Sequence, residues 1–294
     1  MSGRRRMTLD ELARAVRAHD LQERLARRLN RPIAQVAALL ESKLRQVPVT
    51  LELLADIDLV GKRLLEIGAG PGLASIFLKA NGYDITAIEP ALSGFDEYAV
   101  YHEELIRTLG HDDLTLLVIG AEELDSAIHG LFDVIFSHNV LEHVPQLDEA
   151  FAAMCGVLKP GGVMVHMCVN YNFPYEPHFS IPLIPGWPKL TEIVLPRRIR
   201  DSQLWQCLNF IDAGQVRALC KRNGLQVGFA PGLLHAQLVR IQEDPTFGAR
   251  HHGALLKIIS RMLRLTGLFE MLRHLPPVAV SPMRFVAAKL PPTP

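Results

Sequence analysis

An excess of charge of either sign is missing from this chain. Its 294 residues carry 31 lysines and arginines against 31 aspartates and glutamates, a formal net charge of zero. A nucleic-acid partner calls for a basic surface, so none is expected. Cysteine is scarce. Cys155, Cys168, Cys207 and Cys220 show neither metal-ligand spacing nor a disulfide pattern, and they read as reduced thiols of a cytoplasmic protein. No run of about 18 apolar residues occurs, so no membrane-spanning helix is expected. Arg4, Arg5 and Arg6 have no apolar stretch behind them, which argues against a secretory leader. Internal repeats and low-complexity tracts are also absent. What remains is apolar enough for a well-buried core, with 49% hydrophobic residues.

The most informative run is Leu64-Leu65-Glu66-Ile67-Gly68-Ala69-Gly70-Pro71-Gly72. An apolar strand enters a glycine turn, and a helix starts behind it. Such a turn sets backbone N–H groups and a helix N-terminus against a ligand. The spacing is Gly-x-Gly-x-Gly, and Leu73 stands where a dinucleotide fingerprint wants its third glycine. Glu66 sits just before the first glycine, where it repels a pyrophosphate and suits a cationic ligand. Glu89 ends the next apolar run, Ile85 to Glu89, where a carboxylate can grip both hydroxyls of a ribose.

From Lys62 the pattern alternates strand and helix, which predicts a parallel sheet with helices on both faces. Strands are expected at 62–67, 84–89, 114–119, 132–137 and 162–169, then at 225–230 and Met283 to Ala288. Helices are expected at 72–81, 94–109 and 146–157, and from an N-cap at Asp212 to Gly224. Before the sheet, residues 8–56 read as helices. Thr8 and Glu11 make a capping box for a first helix, and Pro32 opens a second helix with Ile33, Val36, Leu39 and Leu40 on one face. Between 170 and 208 the alternation breaks, because Pro174, Pro177, Pro182, Pro185, Pro188 and Pro196 prevent long regular elements. Ordered loops of that length are usually functional. The expected division is a helical extension over 1–58 and an α/β domain over 59–294, with 170–208 inserted in it as a lid.

At this point the chain resembles the class I S-adenosylmethionine-dependent methyltransferases. The run Phe132 to Val144, with Leu141-Glu142-His143-Val144 at its end, is similar to the family's fourth strand and following turn. Leu158-Lys159-Pro160-Gly161-Gly162 is similar to its turn into strand five. The resemblance implies a Rossmann-like α/β fold with a seven-stranded sheet and S-adenosylmethionine as cofactor. It places Gly68, Ala69, Gly70 and Gly72 against the methionine end, Glu66 near the ammonium, Glu89 on the ribose and Ala121 at adenine. Pro90, Glu122 and His138 complete the implied cofactor set. Gly120 departs from the family, which commonly has an aspartate there on the adenine amino group; Glu122 or Glu123 is the substitute on offer.

The Glu142-His143 pair resembles that of the ubiquinone-pathway O-methyltransferases. His143 is the candidate general base, since an unperturbed imidazole titrates near neutrality. The competing role is orientation of the turn by hydrogen bonds. In the insert, Pro174-Tyr175-Glu176-Pro177-His178 resembles a segment of bacterial methyltransferases associated with glycan and lipid biosynthesis. Tyr171, Tyr175, Glu176 and His178 are the candidate substrate-binding residues, with Tyr171, Phe173, Tyr175 and Trp187 as an apolar or sugar-stacking wall.

Asn139, Glu142 and His143 are spaced i, i+3, i+4, so one helical turn gathers them. Some relatives hold a divalent ion there. Asn139 replaces one of their glutamates, so a metal is not expected and the metal-free base is preferred; His178 and Glu176 are the residues able to complete a site.

The expected function is methyl transfer to a small-molecule, glycan or lipid-linked acceptor, with oxygen as the acceptor atom. The alternative is a catalytically inactive binding scaffold. A nicotinamide-dependent oxidoreductase is disfavoured by Glu66 and Leu73. Residues 254–275 form an apolar helical stretch with Lys257, Arg261, Arg264 and Arg273. It is expected either to touch the inner face of an anionic membrane or to pack internally. The sequence leaves the oligomeric state open.

Overall fold

The computed structural model describes residues 6–90, 97–111, 113–243, 253–276 and 279–291, with the backbone alone for 253–257 and 259. The capping box forms as expected. The Glu11 N–H donates to the Thr8 hydroxyl at 3.2 Å, and the Thr8 N–H donates to the Glu11 carboxylate at 2.8 Å. It starts α1 (Leu9–Val16). Next come α2 (His19–Leu29), α3 (Ile33–Leu44) and α4 (Val47–Leu53). The helix opened by Pro32 is therefore the third and not the second. In α2 only Leu21 and Leu25 are buried, a two-residue stripe that the surrounding charges hide from a periodicity count.

The alternating region runs β1 (Arg63–Ile67), α5 (Leu73–Ala80), β2 (Asp84–Ile88), α6 (Tyr98–Leu109), β3 (Thr115–Leu117), α7 (Ser126–His129), β4 (Phe132–His138), α8 (Leu147–Val157) and β5 (Leu158–Cys168). Beyond it lie β6 (Tyr175–Glu176), β7 (Ile181–Pro182), α9 (Arg197–Arg200), α10 (Gln203–Gln206), α11 (Ala213–Arg222), β8 (Leu225–Phe229), α12 (Leu233–Glu243), α13 (Gly253–Leu265) and β9 (Met283–Lys289). The seven-stranded sheet has the order β3-β2-β1-β4-β5-β9-β8. The pairs β1–β2, β1–β4 and β2–β3 are parallel, with Leu65 opposite Thr86 on one side and Ile135 on the other. Leu64, Leu65, Ile85, Ala87, Val134 and Ile135 are almost wholly buried. Strands covered on both faces read as unbroken apolar runs, which is why they were visible in the sequence.

Two expectations need correction, and a third runs beyond the described residues. β5 begins at Leu158, ahead of the Pro160-Gly161-Gly162 turn. The expected helix over 94–109 is described from Tyr98; its first residues, 94–96, lie outside the described residues. The stretch 254–275 is not one helix. It breaks after Leu265, where Gly267 takes φ +73°, and a short 3₁₀ turn follows at Glu270–His274.

The chain forms two compact units. One comprises 1–140, 146–165 and 288–294; the other comprises 141–145 and 166–287. In the first, α2 is tied to α6 through Glu104, whose side chain is 1% exposed. Arg24 Nε lies 3.2 Å, Arg28 Nη1 2.8 Å and Arg107 Nη1 3.2 Å from its oxygens. In the second, Trp205 and Phe210 meet edge to face at 5.4 Å, and Phe210 meets Tyr171 at 5.1 Å.

Burial alone raises the pKa of Glu104, but the hydrogen bonds from Arg28 and Arg24 and the charge of Arg107 outweigh it and hold the carboxyl below its ordinary value. The network's stabilisation is therefore whole above the unfolded glutamate's pKa and fades as pH falls through the lower folded value. We expect Glu104→Gln to cost about 2–3 kcal/mol at pH 7, less than a fully buried pair because the arginines are half in water. In urea denaturation the gap between variant and wild type should close toward acid pH; a gap that is constant with pH refutes the assignment.

Candidate active site

The glycine loop belongs to the first unit. After β1, the N–H groups of Gly68 and Ala69 both donate to Ile88 O, at 2.9 and 3.0 Å, and pin the loop to the end of β2. Gly68 has φ +66°, and a Cβ there would lie 2.5 Å from both methyls of Val140. Gly72 has φ +81°, and its Cβ would collide with the His102 ring. Only glycine meets both demands. Leu73 is buried at the start of α5.

Two carboxylates flank this loop. Glu89 Oε2 accepts the Gly70 N–H at 2.6 Å. Burial pushes the Glu89 pKa up to about 7, against the pull of that N–H and of Lys43. Glu66 is buried as well and accepts a short hydrogen bond from the Ser75 hydroxyl. Burial raises it to about 7, opposed by Ser75 and reinforced by the charge of Glu89. Lys43 of α3 sets its ammonium 4.9 Å above the Tyr98 ring centroid. Neither Lys43 nor Tyr98 was a candidate from the sequence. Each lies in a helix remote from the motif, where a lone lysine or tyrosine reads as surface or core.

Past β3, Gly120 precedes a 3₁₀ turn over Ala121–Glu123, with Ala121 buried. The Gly120 N–H donates to Glu123 Oε1 at 2.8 Å, so that carboxylate caps its own turn. Glu122 folds its carboxylate back over the Gly120 Cα. Pro90 is half-buried behind β2. His138, at the end of β4, meets the Thr50 hydroxyl at 3.0 Å through Nδ1.

The second cluster belongs to the second unit. Leu141–His143 is a 3₁₀ turn held from beneath by Asn209. The Asn209 side-chain amide donates to Leu141 O at 2.6 Å and Val144 O at 2.9 Å, and its N–H donates to Glu142 O at 2.9 Å. Glu142 is fully buried, and neither of its carboxylate oxygens has a hydrogen-bond partner among the described residues. Burial pushes its pKa up to about 7, while the nearby backbone N–H groups of Glu142 and Val169 and the His178 charge pull the other way. His143 Nδ1 lies 3.3 Å from Cys207 Sγ.

The insert supplies the rest of this cluster. Glu176 is fully buried, meets His178 Nδ1 at 2.5 Å, and accepts the Phe179 N–H at 2.7 Å and the Tyr171 hydroxyl at 3.3 Å. Burial pushes the His178 pKa down, but the hydrogen bond and charge of Glu176, with Glu142 behind, carry it above the ordinary value. The rings of His143 and His178 stand edge to face at 4.9 Å. One ligand atom each from Glu142, His143 and His178 fall within 4.8 Å of one another.

The structure brings together Glu142, His143, Glu176 and His178 from two separate segments. It does not place Asn139 on a helical turn with Glu142 and His143. Asn139 has φ +55°, which breaks the helix, and the turn starts only at Leu141. The expected aromatic wall is also altered. Tyr171 is 3% exposed and supports Glu176 from within, Tyr175 is half-buried, and Trp187 is mostly in solvent. Asn209 and Cys207 escaped the sequence reading, since contacts to a turn about 65 residues away leave no local signal.

A profile of the methyltransferase domain family matches residues 18–228. An uncharacterized protein of Mycobacterium tuberculosis is 35% identical over 214 residues, which cover 70% of this chain and 72% of that protein. The ubiquinone biosynthesis O-methyltransferase of Azotobacter vinelandii is 28% identical over 184 residues, 63% of this chain and 73% of its own. In fold, the chain is similar to the S-adenosylmethionine dependent methyltransferase from Mesorhizobium loti, at a TM-score of 0.51 and 16% identity, over 81% of this chain and 96% of that one. The inactive-scaffold alternative finds no support among these relatives. With the profile match spanning most of the sheet and the glycine loop in place at the end of β1, the chain belongs to the class I S-adenosylmethionine-dependent methyltransferases.

Proposed function

We propose that the enzyme methylates a hydroxyl oxygen of a small-molecule, glycan or lipid-linked acceptor, with His143 as general base. The observation that carries this reading is the buried Glu142 carboxylate, which makes no well-formed hydrogen bond among the described residues and lies beside two imidazoles. A buried polar group without a partner is costly, and an acceptor hydroxyl is a suitable donor to it. Glu142 then orients the hydroxyl and His143 removes its proton, while Glu176 holds His178 as a second donor to the acceptor. Tyr171 and Tyr175 support this insert.

The cofactor supplies an electrophilic methyl group when bound. The first unit fits it by charge. The Glu66 and Glu89 carboxylates suit a cationic ligand, and the glycine loop allows a close approach of backbone. In this reading Gly68, Ala69, Gly70, Gly72 and Glu66 hold the methionine end. Glu89 and Pro90 hold the ribose, Ala121 and Glu122 the adenine, and His138 closes the end of β4. Glu89→Ala should weaken S-adenosylmethionine binding by about 1.5–3 kcal/mol in titration calorimetry, the usual loss for hydrogen bonds to a charged group. An unchanged affinity rejects the ribose role.

A second reading is favoured by the 4.8 Å grouping of Glu142, His143 and His178, which suits one divalent cation. Two imidazoles with one carboxylate favour a transition metal over magnesium. One comparison separates the readings. His143→Ala should lower kcat about 10²-fold or more and leave cofactor affinity unchanged, and a chelator should not inhibit the wild type. Loss of wild-type activity to the chelator favours the metal. Near-intact activity of the variant makes His143 structural.

We also infer peripheral contact with the inner, cytoplasmic face of a membrane. In α13, Ile258, Met262 and Leu265 are 59%, 62% and 81% exposed, at i, i+4 and i+7. Arg261 and Arg264 are exposed beside them, while the Lys257 side chain lies outside the described residues. No helix among the described residues is long and apolar enough to cross a membrane. The protein should sediment with anionic liposomes and leave them at high salt. Equal behaviour on neutral and anionic vesicles removes the electrostatic part of this reading.

A further inference from the structure

Cys207 closes a well-anchored segment and meets the ring of His143. Ser202 caps α10, its hydroxyl accepting the Trp205 N–H at 3.2 Å. Trp205 is almost wholly buried, and its indole N–H donates to Glu192 at 2.9 Å. The Cys207 N–H ends the helix on Gln203 O at 3.0 Å. Two residues on, Asn209 holds the backbone of the 141–144 turn through Leu141 O, Val144 O and Glu142 O. One short segment, 207–209, thus grips both the backbone of that turn and the ring of His143.

The sulfur has two polar neighbours. Leu204 O lies 3.1 Å from Sγ, and His143 Nδ1 lies 3.3 Å from it. A carbonyl oxygen only accepts, and a thiol has one hydrogen to give. Both contacts are hydrogen bonds only when the S–H points at Leu204 O and an Nδ1–H points at Sγ. A thiolate has no hydrogen and accepts from Nδ1 in the same way. The bond made by one imidazole nitrogen sets the state of the other, so the neutral ring keeps its lone pair on Nε2. We propose that Cys207 is a positioning residue that fixes His143 in the Nδ1–H tautomer, which makes Nε2 the atom that takes the proton of the acceptor hydroxyl. This assignment rests on the reading of His143 as general base. A carboxylate in the place of Sγ would also favour the imidazolium, which cannot accept a proton. A neutral thiol selects the tautomer without that effect.

The test reads the tautomer directly. The full chain, isotope-labelled at its histidine ring nitrogens, is studied by NMR at about pH 8.5, roughly two units above an ordinary imidazole. His143 is assigned by the signals lost in His143→Gln. In the wild type, Nδ1 should show the shift of a protonated ring nitrogen and Nε2 that of an unprotonated one. Cys207→Ala removes the acceptor, and the proton should move wholly or in part to Nε2. Cys207→Ser restores an acceptor and should restore the wild-type pattern, which a purely packing role does not predict. A wild-type ring protonated on Nε2 overturns the proposal without any substitution. A Cys207→Ala ring that keeps the Nδ1–H pattern overturns it too, as does a Cys207→Ser ring that behaves like the alanine variant. Failure of the base reading shows separately. Near-intact methyl transfer by His143→Ala ends that reading and the positioning role with it, whatever the tautomer. The wrong tautomer, beside a His143→Ala variant that has lost kcat, removes the role of Cys207 alone.

Discussion

The hydrogen bond from the Gly70 N–H to Glu89 joins the turn after β1 to the end of β2. A carboxylate this buried needs donors, and the backbone of a glycine turn is the nearest source. The turn in turn needs a fixed partner, because glycine loses more conformational freedom than any other residue when it is ordered. The donation of Gly68 and Ala69 to Ile88 O supplies the rest of that restraint. Everything proposed for the cofactor depends on this pairing of loop and strand end.

The same physics recurs at other carboxylates, with different outcomes. Glu104 is buried and satisfied by three arginines, so its pKa falls and it stabilises the fold. Glu176 is buried and satisfied by His178, a backbone N–H and a tyrosine hydroxyl, so it fixes the insert. Glu142 is buried with no well-formed hydrogen bond among the described residues, and burial raises its pKa to about 7. A fold tolerates such a group when function needs it, because perturbed carboxylates cluster at working sites. The contrast between Glu104 and Glu142 separates structural carboxylates from the candidate catalytic one better than burial does.

The N-terminal helices illustrate how a remote segment is brought against the glycine loop. Their capping box and apolar stripes account for helix formation but not for where the helices pack. Arg24 and Arg28 dock α2 on α6 through Glu104, and Arg17 ties α1 to Glu41 of α3 at 2.8 Å. That docking brings Lys43 over the glycine loop and Thr50 to His138.

Local pattern in the chain determined the elements and the loop. Strands buried on both faces appear as apolar runs, caps appear as Thr8, Glu11 and Asp212, and the glycine turn declares itself by spacing. Periodicity was weakest where few residues carry it, as in α2, and where proline and glycine cut short elements, as between 170 and 208 and after Leu265. The chemical set Glu142, His143, Glu176 and His178 was nameable from residue types, but its assembly was not. Only the tertiary structure decided that His178 meets His143, that Tyr171 turns inward to Glu176, that Asn139 leaves the helical turn, and that Asn209 holds it from beneath. The physical reason is range. Periodicity and capping act over a few residues along the chain, whereas burial, desolvation and pairing of these side chains depend on segments far apart in sequence.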